Sequence, residues 1–287
     1  MKIHPLAVVD PRAEIGESVE IGPFCVIEPN VVIGDECKLE SSVVIKEGTV
    51  LGDNNYVAEG AVLGGAPQHV AAPDVPGTVI IGTGNTIREH VTIHRAMNPG
   101  TATIVGDDNM LMAGSHLAHD CRIGSRIIMA NGALLAGHVT VGDRATISGA
   151  VVVHQFTRIG EFTMVGGQAR IVQDVPPYML VDGLSSNIVG LNRVGLKRAG
   201  FKAKEMKQLK AAYNVIYRQG LTWNEILATL ESDFDEGPAH VFRPFLASTT
   251  RGIVSEGRPA SQTRPTQRTD NGDDYEGEGP RLRIHTG

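Results

Sequence analysis

The stretch HLAHDC, residues 116–121, sets two histidines three apart beside an aspartate and a cysteine. Such a group suits a metal held by ring nitrogens, a general base oriented by a carboxylate, or a decorated turn. His138, His154 and Gln155 follow downstream. Six letters cannot choose among these chemistries. The choice depends on which side chains point outward and what lies beside them, and therefore on the elements that carry them.

A period of six organises those elements. From Val9 the apolar positions run Ile15, Ile21, Ile27, Ile33, Leu39, Ile45, Leu51, Val57 and Leu63, and they continue in the same phase to Ile171. Of the 28 positions in this series only His69 and Pro99 are not apolar. Four residues after each comes a mostly small or β-branched residue, such as Ala13, Val43 or Ala133. Cys25, Cys37 and Cys121 share that phase, which makes them small core residues without a redox or metal role. One large and one small inward residue per hexad describes short strands joined by tight turns. Three such strands close a triangular coil of 18 residues, a parallel β-helix of hexapeptide type.

Two interruptions keep the phase. Residues 65–78 (GAPQHVAAPDVPGT) and 96–103 read as loops thrown out from a corner, the usual place for function on a rigid scaffold. The paired prolines of QDVPPY predict the end of the regular strands, so the β-helix is assigned to residues 1–178. A helical domain is assigned to 190–253. Met206, Leu209, Tyr213, Ile216 and Tyr217 recur at helical spacing within 201–220, TWNE at 222–225 is a capping box, and a shorter helix is expected from Ala239 to Ser248. Residues 254–287 lack apolar periodicity and are expected to be disordered.

Composition narrows the function. With 26 Lys+Arg against 32 Asp+Glu the chain is mildly acidic, which argues against nucleic-acid binding by bulk charge. No stretch has signal-peptide character, and none approaches the ~18–20 apolar residues of a membrane span. A cytoplasmic protein without membrane insertion is expected.

Residues 18 apart should stack one storey apart. His119 then lies under Gly137 and Gln155, and Asp120 under His138 and Phe156, with His116 and His154 nearby. Three readings of this cluster stay open. The residues are surface turns; or His116, His119 and His138 aim at one metal ion; or His119 is a base, Asp120 orients it around a turn, and the Gly137 N–H meets a developing oxyanion.

IREHVTIHR (87–95), HLAHDC, LAGHV (135–139), VHQF (153–156), MVGG (164–167), QDVPPY (173–178) and GLKRAGF (195–201) together resemble the UDP-N-acetylglucosamine O-acyltransferase family of lipid A biosynthesis, from about residue 5 to residue 253. The resemblance implies a left-handed coil and a homotrimer with its active site in the cleft between adjacent β-helices. It implies transfer of an (R)-3-hydroxyacyl chain from acyl carrier protein to the 3-hydroxyl of UDP-GlcNAc. It makes His119 the base, Asp120 its orienting partner and Gly137 the oxyanion donor. His138 and Gln155 would contact the sugar and its acyl arm, with His116, His154 and Gln68 lining the pocket. Asn192 and Arg198 would hold the nucleotide, and Gly167 would set acyl length. No cofactor or metal is implied, because the donor carries its own phosphopantetheine.

Three positions depart from the family pattern. His69 stands where an aspartate is usual, Ala71 for a lysine and Ala199 for an arginine, which leaves a 3-amino acceptor open as an alternative. The basic run Arg193, Lys197, Arg198, Lys202, Lys204, Lys207 and Lys210, against the single acid Glu205, suits an acidic carrier protein.

Overall fold

A computed structural model of the chain describes residues 1–257. Two-residue strands such as Val26–Ile27 and Leu134–Leu135 recur every six residues, with turns between them. Every third strand joins the same sheet. This builds sheet 1 (11 strands, from Lys2–Ile3), sheet 2 (nine strands, from Val8–Val9) and sheet 3 (eight strands, from Glu14–Ile15). Partners along a sheet are 18 residues apart, as in Glu20↔Lys38, Val26↔Val44 and His116↔Leu134. Across the two loops the separation grows to 30 and 24, as in Tyr56↔Thr86 and Thr92↔His116. The strands flanking the loops are longer than the period suggests. Val62–Gly65 and Ala102–Val105 both overlap the residues assigned to loop.

The prism is filled by the apolar column. Ile27, Ile33, Leu39, Ile45, Leu63 and Ile87 are fully buried, each contributing about 1.5–3 kcal/mol. In the small-residue phase the three buried thiols donate to backbone oxygens, Cys25 to Glu40 (2.8 Å), Cys37 to Gly52 (3.0 Å) and Cys121 to Ala136 (3.2 Å). The same phase holds a polar ladder that the apolar pattern does not announce. Asn55 Oδ1 accepts from the Asn85 N–H, Asn85 Oδ1 from that of Asn109, and Asn109 Oδ1 from that of Ile127. Most corners turn sharply because one residue adopts positive φ, including Asp120 (61°), His138 (60°) and Phe156 (62°).

The prolines do not end the sheet, and the 178 boundary needs correcting. Pro176 and Pro177 occupy a corner, where no ladder N–H is required. Met179–Val181 then carries sheet 1 one storey further, pairing with Met164–Val165, and Ile188–Leu191 closes it antiparallel.

Beyond the sheet lie α1 (Arg193–Arg198), α2 (Ala203–Tyr217), α3 (Trp223–Asp233), a 3₁₀ turn (Pro238–Val241) and α4 (Phe242–Ala247). The expected last helix is thus split, and α1 is a short helix within a stretch read only as a motif. The buried faces of α2 (Leu209, Tyr213, Ile216), α3 (Ile226, Leu230) and α4 (Phe242, Leu246) form the helical core. Residues 254–257, expected to be disordered, form a strap that bridges Ile188 to Glu256, and the Val254 N–H donates to Asp174 O. The rest of the expected disordered tail lies outside the described residues. Among the described residues no helix is long and apolar enough to cross a membrane.

Candidate active site

The stacking map holds at the corner between sheets 2 and 3. The His138 N–H donates to His119 O, and the Phe156 N–H to Gly137 O, both at 3.0 Å. A Cβ built on Gly137 would lie 2.5 Å from Cε1 and 2.7 Å from Nε2 of His119. The imidazole therefore rests directly against the Gly137 backbone, and only glycine leaves it that room.

His119 is buried, only 7% exposed, and its Nδ1 lies 2.8 Å from Asp120 Oδ2. Adjacent residues meet in this way because the positive φ of Asp120 folds its carboxylate back around the turn. Asp120 is itself held. The Met97 N–H from the second loop donates to Oδ2 at 3.1 Å, and the Asp120 N–H donates to Thr103 Oγ1 at 2.8 Å. A carboxylate on Nδ1 keeps the proton there and leaves Nε2 as the basic atom. No group among the described residues takes the Gly137 N–H. At the corner between sheets 3 and 1 the equivalent amides are capped from the next storey, as where Asp35 Oδ1 accepts from Glu17 (2.7 Å) and Asp143 Oδ1 from Ser125 (2.8 Å).

His138 completes the corner. Its Nε2 is 3.7 Å from Asp120 Oδ2, and its ring stacks on Phe156 at 4.5 Å. Burial pushes its pKa down, partly opposed by Asp120, so the ring is neutral near pH 7. His69 also reaches this corner, edge-on to His119 with ring centroids 5.7 Å apart, while its Nδ1 accepts from the Ala71 N–H. The sequence marks His69 only as a departure, because nothing periodic predicts where a loop residue lands. Gln68 is exposed beside it, and Gln155 is exposed one storey above Gly137.

His116 stands apart from the trio of the alternative metal reading. It sits on the outward face of sheet 2, bonded to Thr92 Oγ1 (2.7 Å) and edge-on to His94 at 5.1 Å. The grouping with ligand atoms within 4.8 Å of one another is His119, Asp120 and His138, without His116. The reason is geometric: His116 is a strand residue whose side chain leaves the sheet before the corner.

The remaining predicted residues lie elsewhere on the protomer. Gly167 is exposed at the corner between sheets 1 and 2. Asn192 and Arg198 border a cavity of about 680 Å³ over sheet 1, floored by Ile128, Thr146, Met164 and Leu180. Asn192 is also the α1 N-cap. Its Oδ1 accepts from the Gly195 N–H (3.0 Å) and its Nδ2 donates to Phe162 O (2.9 Å), which commits much of its hydrogen-bonding capacity. Ala199 closes α1 as an exposed C-cap. Lys197, Lys207, Lys210 and Arg218 line a neighbouring groove of about 640 Å³ around Phe201 and Met206. The lone acid Glu205 is used in capping α2 at the Lys202 N–H.

A stacked hexapeptide coil with a carboxylate-oriented imidazole under a free glycine amide defines a hexapeptide-repeat acyltransferase. Known proteins of similar sequence and fold agree. The family model described as UDP-N-acetylglucosamine O-acyltransferase, domain 2, matches residues 174–254, and that of the GMPPB C-terminal domain matches residues 3–97. The acyl-[acyl-carrier-protein]–UDP-N-acetylglucosamine O-acyltransferase of Burkholderia orbicola is 42% identical over 259 residues, 88% of this chain and 99% of that protein. The protein of the same description from Halorhodospira halophila is 48% identical over 221 residues, 77% and 86%. The crystal structure of the Francisella novicida UDP-N-acetylglucosamine acyltransferase superposes with a TM-score of 0.87 at 38% identity, covering 91% of this chain and 99% of that one. The chain belongs to the UDP-N-acetylglucosamine O-acyltransferase family, and its coil is left-handed.

Proposed function

We propose that this protein transfers an (R)-3-hydroxyacyl chain from acyl carrier protein to the 3-hydroxyl of UDP-N-acetylglucosamine, the first step of lipid A biosynthesis. The observation that carries the reading is the His119–Asp120 pair lying against the Gly137 backbone. His119 Nε2 removes the hydroxyl proton as the sugar oxygen attacks the thioester carbonyl. The Gly137 N–H donates to the tetrahedral oxyanion. Collapse re-forms the carbonyl and expels the pantetheine thiolate, which takes the proton from the His119 imidazolium. The Asp120 carboxylate stabilises that imidazolium. The attack is direct, and no residue is acylated. His138 and Gln155 contact the sugar and acyl arm, and His116, His154 and Gln68 line the pocket. Gly167 has no side chain to floor the acyl channel, which favours about 14 carbons over about 10.

The enzyme acts as a cytoplasmic homotrimer on water-borne substrates. Two features support the trimer. Gly167, Asn192 and Arg198 lie on a different corner and sheet from His119, so a second copy must bring them to the base. Sheet 2 also carries outward Val26, Leu134 and Val152, each about 40% exposed in one protomer. The basic groove on α1 and α2 suits the acidic carrier protein.

The test is an assay of UDP-GlcNAc and its 3-amino analogue with 3-hydroxyacyl carrier proteins of several lengths, read by mass spectrometry. The wild type should form the O-acyl sugar after chelator treatment as before it. His119→Ala should lose about 10²–10⁴-fold in rate with its assembly intact. Stoichiometric zinc with chelator-sensitive turnover, or unchanged turnover in His119→Ala, would overturn the assignment.

A further inference from the structure

The strap that follows α4 reaches the catalytic corner through one side chain. Arg251 Nε donates to Val172 O at 3.1 Å, and its Nη2 lies 3.2 Å from His154 Nδ1. The strap is fixed to the last storey. The Asp174 N–H donates to Gly252 O (3.0 Å), the Val254 N–H to Asp174 O (2.9 Å), and Gln173 Nε2 to Arg251 O (3.3 Å). A guanidinium can only donate, so His154 Nδ1 accepts from it, although Gln155 O is also 3.2 Å from that nitrogen. The imidazole proton is then on Nε2, a second donor on an exposed ring.

Arg158 pairs with Asp174 at 2.7 Å and Arg218 pairs with Glu256, yet among the described residues no carboxylate pairs with Arg251. A half-buried guanidinium with two fixed bonds and no counter-ion is pre-organised for an anion, and its fork suits phosphate oxygens. We propose that Arg251, with His154, forms the subsite for the phosphodiester of the acyl donor's phosphopantetheine arm. This rests on the acyltransferase reading above.

Reach and direction agree. Gln155, next to His154, is two storeys above His119, about 10 Å at the sheet spacing. An extended pantetheine arm separates its thioester from its phosphate by about 15 Å. The strap passes beneath α2, where Tyr217 Oη donates to Val254 O at 3.1 Å, so a carrier protein on the basic helices would send its arm past Arg251 towards His119. The other phosphate in the reaction is the diphosphate of the sugar nucleotide, which Arg198 over sheet 1 is placed to meet.

The experiment compares wild type, Arg251→Gln and Arg251→Lys with acyl carrier protein, acyl-phosphopantetheine and acyl-pantetheine as donors. The glutamine variant should raise the KM for both phosphorylated donors about tenfold or more, with the KM for UDP-GlcNAc unchanged. The lysine variant should recover part of the loss. With acyl-pantetheine the penalty should shrink to within about twofold, because the contacted group is missing. An equal penalty on all three donors would make Arg251 a purely structural strap residue and overturn the proposal. So would no penalty at all, or a raised sugar-nucleotide KM, which would place the diphosphate there. Failure of the wild type to acylate the sugar nucleotide would instead sink the underlying acyltransferase reading.

Discussion

At the scale of single residues, the proposed chemistry depends on an imidazole lying against a glycine backbone. A methyl group on residue 137 would fall 2.5 Å from His119 Cε1, closer than any stable contact, so the ring must shift. Gly137→Ala should therefore lower kcat about 10²-fold or more with little change in thermal midpoint. Stopped assays beside a melting curve check both halves. His116 gives a prediction about stability. Burial, and secondarily His94, lowers its pKa from 6.5 to about 4. Between those values the unfolded chain binds a proton that the folded chain refuses. Stability should then fall as pH drops from 6.5 to about 4 and lose no more from this group below that. His116→Gln should flatten that part of the curve of midpoint against pH.

At the scale of elements, the buried carboxylate of Asp174 is one of the contacts that clasp the helical tail to the coil. Asp174, 1% exposed, accepts from the Arg158 N–H (2.8 Å), Arg158 Nε (2.9 Å) and Nη2 (2.7 Å), and Thr249 Oγ1 (2.8 Å). Asp174→Ala strands the Arg158 charge and should cost about 3–5 kcal/mol. The single tryptophan, Trp223 on α3, reports the loss: its fluorescence transition should move to lower denaturant. The coils and their stacking were legible in the sequence because each hexad repeats one packing decision, and Leu117, Leu135 and Val153 show it three times over. The joins were not. The strap at 254–257, the proline corner at 176–177 and the landing of His69 on His119 depend on long-range contacts that no period encodes. The His119–Gly137 stacking followed from counting, whereas the Met97 N–H on Asp120 is a loop backbone contact with no residue type to reveal it. The alternative metal trio loses His116 because the count placed it near the corner without saying that its strand points it away.

At the scale of the whole molecule, one protomer carries the proposed base on one edge and the expected nucleotide and acyl-length residues on another. Assembly and activity should therefore be lost together. Leu134→Glu combined with Val152→Glu places two charges on the outward face of sheet 2, at positions 42% and 40% exposed. The doubly substituted chain should sediment at its monomer mass of 30.6 kDa, keep its β-sheet circular dichroism and lose acyl transfer. A trimer of unchanged activity would show that the subunits meet through another face.

The rungs that close the corner between sheets 3 and 1 suggest how the reactive edge could be sealed. There, an aspartate one turn of the spiral higher plugs the amide beneath it, as Asp35 does for Glu17. Gln155 holds the corresponding place over Gly137. Gln155→Asp should lend that amide a permanent resident anion, so that the transient one formed during turnover finds its berth taken, in a spiral otherwise as sturdy as before.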